Sequence, residues 1–168
     1  NVAGYLAMHD DRLDAAIRYL DEGIRADPDG TLGFLRFNRA MARMMTDEDP
    51  VGRALLLEAL DRRRPELSQR VARTWPPTDG LPTPEAIEIL EEFGGELAAQ
   101  LWMLIDRPER AIEHVVAIRD RIPFGQLDHW WSPVLDPLRD DPRFLAAQAA
   151  WGLEGYEVQR TGDGQPSP

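Results

Sequence analysis

Residues 107–123 read RPERAIEHVVAIRDRIP, and residues 12–28 read RLDAAIRYLDEGIRADP. With Ala16 set on Ala111, both stretches reach a proline twelve residues later, Pro28 and Pro123. Twelve residues before each alanine stands another small residue, Gly4 or Ala99, and four residues after it an apolar one, Leu20 or Val115. Small side chains facing each other let two antiparallel helices approach closely, and the proline ends the unit so that another pair can stack on it. A helix pair of this size cannot bury its apolar stripe alone, so its neighbours must cover it. The chain is therefore expected to repeat a helix hairpin.

The rest of the sequence is patterned in the same way. In 12–26, Leu13, Ala16, Ile17, Leu20 and Ile24 recur at three- and four-residue spacing and form one apolar stripe. Asp27-Pro28 and Asp29-Gly30 break that helix. A second helix is expected over 32–45, ended by Asp47-Glu48-Asp49 and Pro50, and a third over 51–61. Pro65 suits the first turn of another, running to about Trp75. The stretch 76–84, PPTDGLPTP, is expected to be a loop and the best internal hinge. Thr83 then reads as an N-cap with Pro84 at the first helical position. Further helices are expected at 84–93, 95–105, 108–121, 128–138 and 141–151, and the tail 161–168 is expected to be disordered. No alternating strand pattern of useful length is present, so the class is all-α.

Composition limits the function classes. At 168 residues, with 43% hydrophobic and 29% charged, the chain suits one globular domain. It holds no apolar run of eighteen residues, so no membrane partner is expected. It opens at Asn1 rather than Met, as expected of a piece of a longer protein. The absence of cysteine excludes disulfides, thiolate metal sites and cysteine nucleophiles, and fits a cytoplasmic location. All 19 basic residues are arginine, the codon usage expected of a GC-rich bacterial genome. A net charge of −11 argues against nucleic acid as a ligand of this chain.

The twelve-residue interval closed by proline resembles the tetratricopeptide repeat, a helix hairpin of about 34 residues. Trp102 stands where that family usually has an aromatic. A middle unit can be placed with Ala42 and Ala54 as its small pair, although Glu58 and Asp61 then fall where apolar or small residues are expected. The stretch 130–156 resembles the terminal segment of bacterial tetratricopeptide proteins, through Leu135, Pro137, Leu138, Arg139, Asp141, Pro142, Arg143 and Phe144; Glu157 departs from the usual tryptophan there. The resemblance implies a right-handed superhelix of antiparallel helix pairs, an α-solenoid. Its units would cover about 1–30, 35–75 and 92–125, with a terminal pair at 128–151. It further implies a non-catalytic domain that binds a protein or an acidic peptide, or packs on an effector domain of the same chain. Such a domain would be the C-terminal regulatory or scaffold part of a larger bacterial protein. The alternative is a small-molecule-sensing domain of a transcriptional regulator or nucleotide cyclase. No cofactor and no metal is implied. Homodimerisation through the uncovered first helix is also consistent with a truncated first unit.

In such a solenoid the first helix of each unit lines the concave face. The middle unit there carries Arg36, Arg39 and Arg43, whose spacing puts three guanidiniums on one side of a helix. Their forks suit a partner's carboxylates; the competing account is a solvated face balanced by Asp47 and Glu48. The same register offers Tyr5, Met8 and His9 from the first unit, and Phe93, Glu96, Gln100, Met103 and Leu104 from the third. These could equally pack on the loop or the terminal helices. His9-Asp10 lacks the convergent ligands of a metal site, and His114 and His129 lack carboxylates at recognisable spacing. Arg62-Arg63-Arg64 matches the negative end of a helix. Trp130, Trp131 and Trp151 are expected to pack core and cap, and Glu88, Glu91 and Glu92 to form a solvated face. No nucleophile elbow, phosphate loop or ligand cluster suggests catalysis.

Overall fold

A computed structural model of the chain describes residues 2–9, 12–27, 34–47, 50–78, 80–92, 97–118 and 132–153. Among these residues there are nine α-helices, one 3-10 helix and no strand. The helices are α1 (Val2–His9), α2 (Leu13–Ala26), α3 (Phe34–Asp47), α4 (Pro50–Arg63), α5 (Pro65–Thr74), α6 (Pro84–Glu91), α7 (Leu97–Leu104), α8 (Pro108–Ile118) and α9 (Pro142–Ala150). Each packs on the next in sequence from α1 to α9, with the 3-10 helix Pro133–Leu138 between α8 and α9 in sequence and resting on α7 and α8.

The stripes close as periodicity requires. Ala16, Ile17 and Leu20 of α2 are buried, as are Leu67, Ser68 and Val71 of α5 and Ala86, Ile87 and Leu90 of α6. Helix α7 (LAAQLWML) has no charged residue, and Ala98–Trp102 are all buried. Helix α3 differs: despite three arginines, none of residues 35–46 is exposed. It is enclosed rather than amphipathic in the simple sense.

Buried small residues recur at one interval. Gly4 and Ala16 are buried in α1–α2, and Ala99 and Ala111 in α7–α8. A β-carbon on Gly4 would stand 2.7 Å from Leu20 Cγ, so only glycine lets α1 sit this close to α2. The middle hairpin follows the same rule in another register. Ala54 is exposed; the close approach is Gly52 against Ala40, again twelve residues apart and both buried. Leu56, four residues beyond Gly52, is fully buried, as are Leu20 and Val115 at the equivalent places.

The proline-rich connector between α5 and α6 is anchored at both ends. Trp75 is fully buried, and Gly80 and Pro82 are buried. Thr83 Oγ1 donates to the Thr74 carbonyl at 2.9 Å and accepts from Ala86 N–H at 3.2 Å, so one hydroxyl joins the end of α5 to the start of α6. Arg53 of α4 donates from Nε (2.9 Å) and Nη2 (2.6 Å) to the Trp75 carbonyl, covering the same helix end. These bonds tie both ends of the connector to the helices beside it.

Of the helix expected at 128–138, the described part is the 3-10 helix, because Pro137 within it has no N–H to donate to an α-helical ladder. Residues 128–131 lie outside the described set. The following motif has a local cause. Asp141 caps α9 by accepting from Arg143 N–H at 2.8 Å, Pro142 takes the first turn, and Phe144 is fully buried under the Arg139 guanidinium, 5.8 Å from its ring centre.

Candidate functional site

Two groups of polar side chains are held between helices. The first is the arginine row of α3. Arg36 is buried, with its side chain 9% exposed; its Nε lies 3.9 Å from Glu58 of α4, and its Nη1 has no hydrogen-bond partner among the described residues. Glu58 lies nearer to Arg62, at 3.3 Å. Arg39 meets the Asp21 carboxylate of α2 as an ion pair. Arg43 is half-buried. The row therefore faces neighbouring helices as much as solvent, and its charges first serve the packing of α3 between α2 and α4.

Four of the other residues expected at the groove fall on α1 and α7. Gln100 is buried, and Met103 and Leu104 are half-buried on α7. Met8 is buried on α1. The side chains of Tyr5 and His9, and residues Asp10, Phe93 and Glu96, lie outside the described set, as do His129, Trp130 and Trp131.

The second group was not legible as a site in the sequence. Glu91, at the C-terminal end of α6, is only 21% exposed. Its Oε1 accepts from the Trp102 indole N–H at 2.5 Å and lies 3.4 Å from His114 Nδ1; its Oε2 accepts from Arg110 Nη2 at 3.3 Å. Arg110 stacks over the Trp102 ring at 5.0 Å, an attractive placement of cation on ring face, and also lies 3.8 Å from both Glu88 and Glu113. The neighbouring Glu92 pairs with Arg70 of α5 at 2.7 Å. Glu88 and Glu92 are exposed, as a solvated face requires; Glu91 is not. His114 does have a carboxylate neighbour, 23 positions earlier in the chain. No local spacing could reveal it, because the pair exists only once α6 and α8 both flank α7.

Glu91 and Glu92 also sit where a helix is least hospitable to them. The C-terminal end of α6 carries the negative pole of its aligned peptide dipoles, so a carboxylate there gains from a nearby cation. Arg70 of α5 and Arg110 of α8 supply that charge.

Among the described residues no helix is long and apolar enough to cross a membrane. No protein-family model, no curated protein and no solved structure matches the chain.

Proposed function

We propose that the chain is a non-catalytic helical-repeat domain of tetratricopeptide type that binds a protein or peptide partner, as a regulatory or scaffold part of a larger bacterial protein. The observation that carries this is the triple recurrence of one interval: Gly4 and Ala16, Ala40 and Gly52, Ala99 and Ala111 are all buried small residues on consecutive helices of a hairpin. Units joined only to their neighbours build an extended surface, and partner binding is the usual work of such surfaces. In this role Arg39 and Arg43 would meet a partner's carboxylates at the half-open edge of α3. Arg36 would act as fixed positive charge behind them. The strongly acidic remainder of the protein would steer acidic segments away from other faces.

The test is affinity capture with cross-linking, using the tagged chain and, as the control bait, an unrelated helical protein of equal net charge. A partner enriched by the chain and released by Arg43→Glu supports the proposal. Circular dichroism must show the variant folded. No partner enriched over the control, or capture indifferent to Arg43→Glu and to the conservative Arg39→Gln, overturns respectively the scaffold role and the arginine row's part in it.

A further inference from the structure

Arg36 is the most deeply buried arginine of α3, and the carboxylate beside it is poorly placed to answer its charge. Its Nη1 is buried without a hydrogen-bond acceptor among the described residues, and its Nε is 3.9 Å from Glu58 Oε1. That distance is beyond hydrogen-bond range, and the same oxygen lies nearer to Arg62, at 3.3 Å, one turn further along α4. A guanidinium withdrawn from water carries five N–H donors in a planar fork, and leaving them unbonded is costly. Glu58 is 53% exposed at its side chain, so Arg36 can be approached from solvent where Glu58 stands. We propose that Glu58 is an internal stand-in for an incoming carboxylate, and that an acidic ligand reaches Arg36 by displacing it.

The inference rests on the reading of the arginine row as a carboxylate-binding row, and adds how access to that row is controlled. With Glu58 in place, Arg36 is fixed charge behind Arg39 and Arg43. With Glu58 drawn off to Arg62, its fork is open to a bidentate contact. The displacement strands no charge: Glu58 keeps Arg62, which is 48% exposed, and Arg36 gains an acceptor. Water and salt screen the Glu58 contacts, so they yield easily. Asp21 has no such alternative, because among the described residues its carboxylate meets Arg39 alone. Glu58 is therefore the acid that moves, and Asp21 the one that stays.

Fluorescence anisotropy of a labelled peptide bearing a run of glutamates between uncharged residues tests this on the full chain. Glu58→Gln keeps the size of the side chain and removes its charge. It is expected to tighten peptide binding about two- to fivefold, the factor that matches an exposed ion pair. Glu85→Gln on α6, an exposed residue with the same change in net charge, is expected to leave binding unchanged. Arg36→Met keeps the apolar stem and should erase the gain from Glu58→Gln in the double variant. Competition with free glutarate at matched carboxylate concentration separates the sources of the ligand. Release of the peptide assigns the site to small dicarboxylates, and retention assigns it to acidic chain segments; both keep the displacement. Three results overturn the proposal: no gain in Glu58→Gln (absence of peptide binding in every form included), an equal gain in Glu85→Gln, or a gain that survives Arg36→Met. The first two comparisons leave Arg36 intact, so they decide even where Arg36→Met fails to fold. Partner capture released by Arg43→Glu beside an unchanged Glu58→Gln would sink the displacement alone. A peptide gain in Glu58→Gln without any captured partner would count against the scaffold role alone.

Discussion

Gly52 lies against Met44 so closely that a β-carbon there would stand 2.5 Å from Met44 Cγ, and 3.2 Å from the Ala40 carbonyl oxygen. That relationship fixes how α4 seats on α3. It also contradicts what an exposed-helix scale would recommend, because replacing glycine by alanine in a helix ordinarily gains about 1 kcal/mol.

Gly52→Ala is therefore expected to destabilise. Overpacking against backbone and the middle of a buried side chain costs ~1–3 kcal/mol, enough to outweigh the propensity gain. For a chain of this size the melting temperature should fall by a few degrees. Ala54→Glu, at the exposed position two residues on, should stay within ~0.5 kcal/mol of wild type. A stabilised Gly52→Ala variant together with a destabilised Ala54→Glu variant would place the helix contact in the other register.

Glu91→Ala removes the acceptor of a buried indole N–H and should cost about 2 kcal/mol in urea unfolding, read by circular dichroism. Glu91→Gln keeps an acceptor and loses only the charge beside Arg110, so roughly half that loss is expected. Equal losses would show that charge, rather than the Trp102 bond, is what matters.

Arg53 covers the carbonyl end of α5, so Arg53→Met should cost about 1–2 kcal/mol while preserving the apolar stem. Thr83→Val removes both the cap of α6 and the bond to Thr74, with an expected loss of about 1 kcal/mol. The two changes act on one connector and should not be additive. Strict additivity in the double variant would argue that the connector is not a single unit.

Asp141 is held well below its ordinary value of 3.8, at about 2, first by the Arg143 side chain and then by the Arg143 backbone N–H. A depressed folded pKa stabilises above the unfolded value, and the contribution fades as pH falls from 3.8 towards 2. Asp141→Asn keeps a cap and loses the charge. Its deficit relative to wild type should be constant at neutral and weakly acidic pH, shrink below 3.8, and vanish only as pH falls through about 2. A deficit that persists unchanged at the acid end would separate it from the ionised carboxylate.

Much of the helical layout could be read from the chain because its causes are local. Pro65, Thr83-Pro84 and Asp141-Pro142 mark helix starts through their own backbone chemistry, and α5, α6 and α9 begin there. The outer two hairpins were legible because their small residues sit in plain sequence register. For the middle one, sequence spacing points to Ala42 and Ala54, two residues from the buried Ala40 and Gly52, because both pairs are small and only packing separates them. The prolines of 76–84 are legible as a loop, but the bond from Arg53, 22 positions before Trp75, is not, because it depends on how α4 and α5 pack.

The sequence by itself determined the all-α class seen among the described residues, because the stripe of each helix and its end signals act within a few residues. Tertiary structure alone decided that α3 is enclosed, that Arg39 answers Asp21, and that Glu91 meets Trp102, His114 and Arg110. Those outcomes depend on which helices become neighbours. A carboxylate reads the same in sequence whether its helix end meets water or two cations from the next turns of the stack.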